Sequence, residues 1–391
     1  MALLINGRFL TQPLTGVQRF ARGLVTALDG LLDGYPVTLV APPRPLWRQP
    51  ELGLNHIQLE EWGNCSGHRW EQLVLGRRVG DRPLLNLGNT APLGHRNQWV
   101  VIHDAIVFAM PHTHRWYVRL TYQHIYRRLA AISHQILTVS EFSRHELQRY
   151  LAVPSGNITV VPNAADHFSQ GICQGSSDAE LSVSQLLKEH HLNHRPFVLA
   201  IAHPAPHKNF IAIARILSRL PPVHLVTIGR YDPRLFQRDH SLPVVNHHLP
   251  LGAVDDATLR ALFARALGFI YPSRYEGFGL PPLEAMSCGC PVIASDIPAL
   301  RETCGGAALY FHPDRPDELL NAIHRLHHDP MLRPTLIAAG YARASNYSWH
   351  HSAQTLWRAI ARRTLAMGKV PSSTAWNSES QEISEAAAQF A

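Results

Sequence analysis

Two glutamates that stand eight residues apart, Glu276 and Glu284, are the first candidates for chemistry in this 391-residue chain. They enclose the segment EGFGLPPLE, which follows the apolar run GFIYPS and contains two glycines and two prolines. The apolar run predicts a strand. The prolines predict the first turn of a helix, where a missing N–H would be unpaired in any case. The segment therefore predicts a loop that leads from a strand into the N-terminus of a helix.

The N-terminus of this predicted helix is suited to bind an anion. Its free backbone amides and the positive end of the helix dipole attract phosphate, and Gly277 and Gly279 let the backbone approach a ligand closely. Carboxylates accept hydrogen bonds from sugar hydroxyls. A nucleotide sugar, in which two sugars flank a diphosphate, fits this layout. A capped helix that carries an exposed glutamate fits the spacing equally well.

Short apolar runs alternate with helical patterns along most of the chain. The predicted strands are residues 2–5, 37–40, 84–87, 99–103, 136–140, 158–162, 197–202, 223–229, 268–273, 291–295 and 308–311. Helices are expected to begin near Gly16, Lys208, Asp255 and Pro281. Thr15 and Gln18 have the spacing of a capping box at the first of these starts. The alternation predicts an α/β protein with two Rossmann-like, doubly wound domains, whose ligands bind at the carboxyl ends of parallel strands.

Changes in composition divide the chain into predicted units. Residues 1–168 form the first Rossmann-like domain, and the polar residues 169–194 form a linker. Residues 195–346 form the second Rossmann-like domain, and a closing helix covers residues 347–368. The polar tail, 369–391, is expected to be disordered.

The composition limits the classes of ligand and partner. A net charge of +7 and an isoelectric point near 9.3 suit a phosphorylated ligand or an anionic membrane surface. No nucleic-acid-binding module accompanies this charge, so nucleic acid is not an expected partner. No apolar run is long enough to predict a membrane span, and no secretory signal is evident at the N-terminus. The 25 histidines have no metal-binding spacing, so no metal cofactor is expected.

Several motifs, taken in order, resemble glycosyltransferase family 4. The Glu-x7-Glu segment with the following AMSCGCPVIASD resembles the signature of that family. The others are TGVQRFARGLVTAL, VIHDAIVFAMP, ILTVSEFSRHEL, VVPNAAD, APHKNF and YSWHHSAQTL. The resemblance extends over most of residues 1–365. It implies the GT-B fold, in which two Rossmann-like domains face a central cleft, and retaining transfer of a sugar from a nucleotide bound to the C-terminal domain. The N-terminal domain would lie on the acceptor side.

The resemblance implies a role for each matching residue. Glu276 would bind the hydroxyls of the donor sugar, and Glu284 would bind those of the nucleoside ribose. The N–H of Leu280, which follows Gly279, would face the distal phosphate. Gly16 would bring its backbone to the same diphosphate from the other domain.

Lys208 follows from the chemistry as well as from the resemblance. Cleavage of the sugar–phosphate bond leaves negative charge on the diphosphate, which a lysine can neutralise. The family usually places a second basic residue a few positions earlier, where this chain has only His203 and His207. One of these histidines is protonated, or Arg230 reaches the site, or the clamp on the diphosphate is weaker. The resemblance places His103 beside the reacting sugar.

The favoured hypothesis is a retaining hexosyltransferase that builds a cell-surface polysaccharide or a lipid-linked glycan. A sugar-nucleotide epimerase or hydrolase of the same fold and a catalytically silent glycan-binding protein are the alternatives. APHKN together with EGFGLPPLEAM resembles mannosyl- and rhamnosyltransferases of bacterial O-antigen and lipopolysaccharide biosynthesis. GDP-mannose is therefore the first donor to test.

Residues 112–132 predict a helix with a basic face. Its expected core stripe consists of Val118, Tyr122, Ile125 and Leu129. Arg115 and Arg119 recur on another face, beside Trp116. Arginines with aromatic neighbours suit lipid phosphates, although a solvated basic face fits the pattern nearly as well. We expect a cytoplasmic, peripheral enzyme that meets a polyprenyl-diphosphate-linked acceptor at the inner face of the membrane.

Overall fold

Two parallel β-sheets, each covered by helices, make up this computed structural model. The structure describes residues 2–32, 35–169, 177–190, 192, 195–220, 222–229 and 247–366. The predicted tail and Arg230 lie outside these residues. The prediction of two doubly wound α/β domains is confirmed.

The first sheet has seven strands. They are β1 Leu3–Asn6, β2 Val37–Ala41, β3 Gln58–Glu61, β4 Leu84–Asn86, β5 Gln98–Val101, β6 Gln135–Thr138 and β7 Ile158–Val160. Their order in the sheet is β3-β2-β1-β4-β5-β6-β7, and all pairs are parallel. Ile5 of β1 pairs with Leu39 on one side and Leu85 on the other. The strand order reverses beside β1, so a crevice opens there at the carboxyl edge of the sheet.

The second sheet has six strands with the same type of order. They are β8 Phe197–Ala202, β9 His224–Gly229, β10 His248–Gly252, β11 Gly268–Tyr271, β12 Val292–Ser295 and β13 Ala308–Phe311. Their order is β10-β9-β8-β11-β12-β13, again all parallel. The reversal beside β8 places Lys208, which follows β8, next to the loop that follows β11.

Eleven α-helices of six or more residues are described. They are α1 Gly16–Asp29, α2 Trp116–Ile132, α3 Glu141–Leu151, α4 Ser177–Glu189, α5 Ile211–Ile216, α6 Asp256–Arg265, α7 Leu280–Ser287, α8 Pro298–Cys304, α9 Pro316–His328, α10 Leu332–Ala344 and α11 Trp349–Ala366. Shorter helical turns are Gly67–Arg69, Gly76–Arg78, Ile106–Ala109 and Asp166–Ser169, with a π-helical turn at Trp70–Leu75. The 3-10 turns are Gly7–Thr11, Arg44–Leu46, Pro111–Thr113, Ser155–Asn157, Pro206–Lys208, Leu217–Arg219 and Gly305–Ala307.

The last helix returns to the first domain. Trp349, at the start of α11, packs edge-on against Phe20 of α1, with ring centroids 6.0 Å apart. A Cβ atom on Gly23 would lie only 2.4 Å from the Trp349 indole, so α1 needs a glycine at this crossing. Ala353 and Leu356 of α11 are fully buried. The chain therefore crosses the domain boundary twice.

Two strands were not predicted from the sequence, and both lie at sheet edges. Strand β3 has the sequence QLEE and is largely exposed, so it lacks the apolar run of an inner strand. Strand β10 contains Pro250, which normally excludes a central strand. Several predicted strands also end earlier than expected. Strand β5 stops at Val101 instead of residue 103, although the Ile102 amide still donates to the Leu137 carbonyl oxygen of β6.

Two predicted helix starts need correction in detail. The first helix begins at Gly16 as expected, but the Thr15 hydroxyl bonds the Gln18 side chain and no backbone amide, so no capping box forms. No helix begins at Lys208. This residue ends a 3-10 turn, Asn209 then adopts a left-handed conformation at φ +51°, and α5 starts at Ile211.

Helical structure also extends into the stretch predicted as a linker, and the basic helix starts later than predicted. Helix α4 lies within residues 169–194, where Val183 and Leu187 bury their side chains against the second domain. The predicted helix 112–132 begins at Trp116, after a 3-10 turn. Leu129 of its predicted core stripe is buried, whereas the other three members are half-buried.

The two domains meet at Gly277. Its carbonyl oxygen accepts hydrogen bonds from the hydroxyls of Ser140 and Ser143, at the start of α3. The Glu302 carboxylate of the second domain accepts from the Glu141 and Phe142 amides, at 2.7 and 2.8 Å. A carboxylate at a helix N-terminus is favoured by the helix dipole. Backbone and side chains thus join the domains at one end of the cleft.

Replacement of Gly277 by alanine should destabilise the protein. A Cβ atom there would lie 2.5 Å from the His103 carbonyl oxygen, which is backbone and cannot rotate away. We expect Gly277→Ala to lower the free energy of unfolding in urea by about 1–3 kcal/mol. Gly53→Ala is the matched control, because nothing lies within 4 Å of its new methyl group. Equal stability of the two variants would contradict a tight contact at Gly277.

Candidate active site

Lys208 and Glu276 form an ion pair in the cleft. The Lys208 Nζ atom lies 2.7 Å from Glu276 Oε1. The Tyr271 hydroxyl donates to the same oxygen at 2.8 Å and lies 3.2 Å from Nζ. The three residues come from the turn after β8, the end of β11 and the loop before α7. Neighbouring parallel strands end at the same edge, which explains why residues 63 positions apart meet here.

Opposite charge keeps this buried pair ionised. Burial opposes the charge of both groups, but the attraction of Glu276 raises the pKa of Lys208 above its usual range. Burial likewise opposes ionisation of Glu276, yet the nearby ammonium lowers the pKa of this carboxyl group. Burial and the Glu276 charge raise the pKa of Tyr271, which therefore stays a neutral hydrogen-bond donor. Tyr271 was not among the predicted site residues, because it falls within the predicted strand 268–273, and aromatic residues are common in strands.

The turn into α7 has the form that its glycines predicted. Gly279 precedes the helix at φ +105°, a conformation that side chains rarely adopt. Leu280 is the first helical residue, so its amide belongs to the free N-terminal turn. Gly277 has a different reason to be glycine than expected. It makes room for the His103 carbonyl of the other domain.

Glu284 lies one turn into α7 and is 3% exposed. Its Oε1 atom lies 3.6 Å from Arg19 Nε and 3.5 Å from His167 Nε2. The Arg19 guanidinium also binds both carboxylate oxygens of Asp256, across the domain boundary. Neither Arg19 nor His167 was predicted. A signal for Arg19 exists in the sequence, since it stands one helical turn after Gly16.

Gly16 and Glu284 are thus on facing helices. Gly16 opens α1 and is exposed, and Arg19 on the next turn extends from that helix to Glu284. The structure therefore brings the first helix of one domain towards the Glu284 carboxylate of the other.

His103 is a buried, neutral histidine. Its Nε2 atom lies 3.1 Å from the Leu87 carbonyl oxygen, which accepts the Nε2 proton. Its backbone amide donates to Asn89 Oδ1 at 2.8 Å, and its ring packs edge-on against Phe20. Burial lowers the pKa of His103 to about 4, although the hydrogen bond to Leu87 opposes this shift. The ring is therefore uncharged at neutral pH, and its Nδ1 atom is a hydrogen-bond acceptor.

His203 and His207 precede Lys208, where the family usually has a second basic residue. Burial, and next the Lys208 charge, lower the pKa of His207 to about 4. These surroundings favour the neutral ring of His207 near neutral pH. His203 accepts a hydrogen bond at Nδ1 from the Ala205 amide. Asp104, which was not predicted, lies near the pair, and burial together with the Glu276 charge raises its pKa.

Arg115 and Arg119 lie at the start of α2. Arg115 is exposed, whereas Arg119 is half-buried. Neither forms an ion pair with a carboxylate within the described part of the chain. Within the same residues, no three histidine, cysteine or acidic side chains converge as metal ligands would.

Comparison with known proteins places this site in a family. The model for Glycosyl transferases group 1 matches residues 184–343, and the model for Glycosyltransferase Family 4 matches residues 83–167. The chain is 32% identical over 275 residues to the O-antigen chain mannosyltransferase B of Escherichia coli, covering 66% of this chain and 69% of the relative. It is 28% identical over 267 residues to the O-antigen chain mannosyltransferase RfbU of Salmonella typhimurium, covering 67% and 69%.

Solved structures show the same fold at low identity. Sucrose-phosphate synthase from Thermosynechococcus elongatus superposes with a TM-score of 0.72 at 18% identity, covering 93% of this chain and 99% of the other. WaaG, a glycosyltransferase involved in lipopolysaccharide biosynthesis, gives 0.69 at 13% identity, covering 92% and 99%. The motifs, the two sheets and these relatives agree, and the chain therefore belongs to glycosyltransferase family 4 and has the GT-B fold.

Proposed function

We propose that this glycosyltransferase moves mannose from GDP-mannose, with retention of configuration, to a glycan or polyprenyl-diphosphate-linked acceptor in surface polysaccharide synthesis. The observation that carries the proposal is the Lys208–Glu276 pair, which sets a cation and a hydroxyl acceptor 2.7 Å apart beside the N-terminus of α7. A nucleotide sugar needs this combination. The O-antigen mannosyltransferases among the relatives support mannose as the sugar.

The donor diphosphate would lie between α7 and Lys208. The free amides at Leu280 and the helix dipole stabilise phosphate, and the Lys208 ammonium neutralises the charge that grows as the sugar–phosphate bond breaks. Tyr271 and Lys208 both donate hydrogen bonds to Oε1 of Glu276. They orient the carboxylate so that its other oxygen can accept from a sugar hydroxyl. With this positive charge supplied by the protein, the reaction needs no metal ion.

Transfer would proceed on the face of the sugar from which the nucleotide leaves. The acceptor oxygen bonds to the anomeric carbon, and the electron pair of the broken bond passes to the leaving phosphate. That phosphate takes the acceptor proton. No side chain has to act as a covalent nucleophile in this scheme. His103, neutral and held by Leu87, offers its Nδ1 atom to a hydroxyl of the reacting sugar.

Transfer assays test this function. With GDP-mannose and a polyprenyl-linked glycan extract, NMR of the product should show an α-mannoside, and excess EDTA should leave the rate unchanged. Lys208→Ala should lower kcat roughly 100-fold or more, because its charge partner grows in the transition state. Lys188→Ala, at an exposed position of α4, is the matched control.

A different experimental result would contradict each part of the proposed mechanism. A β-linked product would overturn retention, and activity lost in EDTA but restored by magnesium or manganese would overturn metal independence. Conversion of GDP-mannose without an acceptor would favour the epimerase or hydrolase. Unchanged kcat with a raised KM in Lys208→Ala would assign this lysine to ground-state binding.

The neutral state of His103 predicts a pH effect on stability. Its folded pKa of about 4 lies below the ordinary value of 6.5, so the unfolded chain binds a proton more readily between these values. The contribution of the neutral His103 ring to the free energy of unfolding is complete above pH 6.5 and decreases as pH falls towards 4. Between pH 7 and 5, wild type should lose about 2 kcal/mol more unfolding free energy than His103→Phe.

Urea unfolding at both pH values measures this difference. His145→Phe, at an exposed position of α3, should keep the pH dependence of wild type. The same loss in wild type and His103→Phe would show that this histidine is not held neutral by its surroundings.

The start of α2 is the proposed membrane-facing surface. Trp116 is 69% exposed, and Tyr117 and Leu120 are 47% and 49% exposed. They follow the exposed Arg115, whose Nη1 lies 3.3 Å from the Tyr117 hydroxyl. Aromatic and basic side chains together suit a lipid interface. No helix in the described residues has both the length and the apolar character to cross a bilayer. We therefore propose peripheral binding.

Vesicle flotation tests this surface. Wild type should float with vesicles containing phosphatidylglycerol at low salt, since each basic group near an anionic surface contributes about 1 kcal/mol. Arg115→Glu/Trp116→Ala should not float, whereas Arg362→Glu, at an exposed position of α11, should float like wild type. The half-buried Arg119 is left intact to avoid a folding defect. Equal flotation of all three proteins would exclude this surface.

A further inference from the structure

Two buried polar atoms beside α7 have no hydrogen-bond partner among the described residues. They are Glu284 Oε1 and His167 Nε2, which lie 3.5 Å apart. This separation is too long for a good hydrogen bond between nitrogen and oxygen. Buried polar groups are normally paired, and an unpaired one costs free energy. Glu284 is 3% exposed, so its carboxylate is held in this place rather than directed into solvent.

The protonation of His167 is set by its other nitrogen. Trp349 Nε1 can only donate, and it lies 3.2 Å from His167 Nδ1. Nδ1 is therefore the acceptor, and Nε2 carries the proton in the neutral ring. Trp349 itself is fixed, because its amide donates to Asp166 Oδ2 and its indole covers Gly23 of α1. The Nε2–H donor of His167 therefore lies 3.5 Å from Glu284 Oε1, and a carboxylate can only accept.

Arg19 does not satisfy Glu284 in place of a ligand. Its Nε atom is 3.6 Å from Oε1, beyond hydrogen-bonding distance. Both terminal nitrogens of the guanidinium are bound to Asp256. Arg19 is therefore held by Asp256 as a neighbouring positive charge, and Glu284 Oε1 has no hydrogen-bond partner among the described residues.

A hydroxyl group complements this pair of atoms. An oxygen about 2.8 Å from each could donate its proton to Glu284 Oε1 and accept the proton of His167 Nε2. A phosphate or carboxylate oxygen could not, because it has no proton to give to Glu284. We propose that His167 is a further donor-binding residue, which recognises a ribose hydroxyl jointly with Glu284. This inference rests on the proposed use of a nucleotide sugar.

Through His167, the segment between the domains would contribute to substrate recognition. His167 lies in the turn Asp166–Ser169, just before the chain enters the second domain, and Trp349 lies where the chain returns to the first. The two segments in which the chain crosses the domain boundary therefore meet at the proposed hydroxyl-binding site. A nucleotide with the full ribose would contact the second domain through Glu284 and the crossing segment through His167.

Binding of ribose and deoxyribose nucleotides tests the inference. Calorimetry would compare GDP and UDP with their 2′-deoxy and 3′-deoxy forms on wild type, His167→Phe and His350→Phe. Wild type should bind one deoxy form about three- to tenfold more weakly than the ribose form, as expected for one lost hydrogen bond. His167→Phe should bind the ribose form weakly and lose that discrimination. His350, exposed and next to Trp349, is the control and should match wild type.

Two further variants separate recognition from folding. His167→Gln keeps an N–H donor of similar reach and should recover part of the discrimination. Trp349→Phe keeps the ring but not the donor to Nδ1, and should reduce discrimination less than His167→Phe does. Tight ribonucleotide binding with full discrimination in His167→Phe would overturn the inference alone. Wild type that binds neither GDP nor UDP would overturn the proposed function, and the inference with it.

Discussion

The close backbone contact between Gly277 and His103 is the constraint on which the active site depends. A single methyl group at Gly277 would lie 2.5 Å from the His103 carbonyl oxygen. Gly277 follows Glu276 directly, so this contact sets the backbone of Glu276 in one domain close to that of His103 in the other. Ser140 and Ser143 hold the Gly277 carbonyl in place. The cleft is therefore built from backbone packing before any ligand contributes.

The charged residues of the cleft form two separate groups. Lys208 and Glu276 compensate each other in the second domain. Glu284 lies beside a cation of the first domain, Arg19, which also binds Asp256. A buried charge without a partner is costly, so each carboxylate has a cation nearby. The first group lies within one domain, whereas the second joins the two.

Prediction from the sequence succeeded where a local pattern dictates local structure. Inner parallel strands are buried on both faces and appear as apolar runs, so all eleven predicted strands exist. The edge strands β3 and β10 have no such run, because β3 is polar and largely exposed and β10 contains Pro250. The edge strands β7 and β13 are apolar and were predicted. Lys208 was recognised from its chemistry, although Asn209 turns the chain and no helix begins there. The predicted roles of the site residues, Gly16, His103, Lys208, Glu276, Gly279, Leu280 and Glu284, remain proposals.

The sequence by itself determined the family, the two doubly wound sheets and the pair of carboxylates, because these follow from motifs and apolar runs that are contiguous in the chain. Only the tertiary structure decided which residues meet. Tyr271 reaches Glu276 because β8 and β11 are neighbours in the sheet. His167 reaches Glu284 because the chain crosses the boundary beside α7. Burial then set the protonation of His103 and His207, since desolvation depends on every neighbour in space and leaves no local pattern in the sequence.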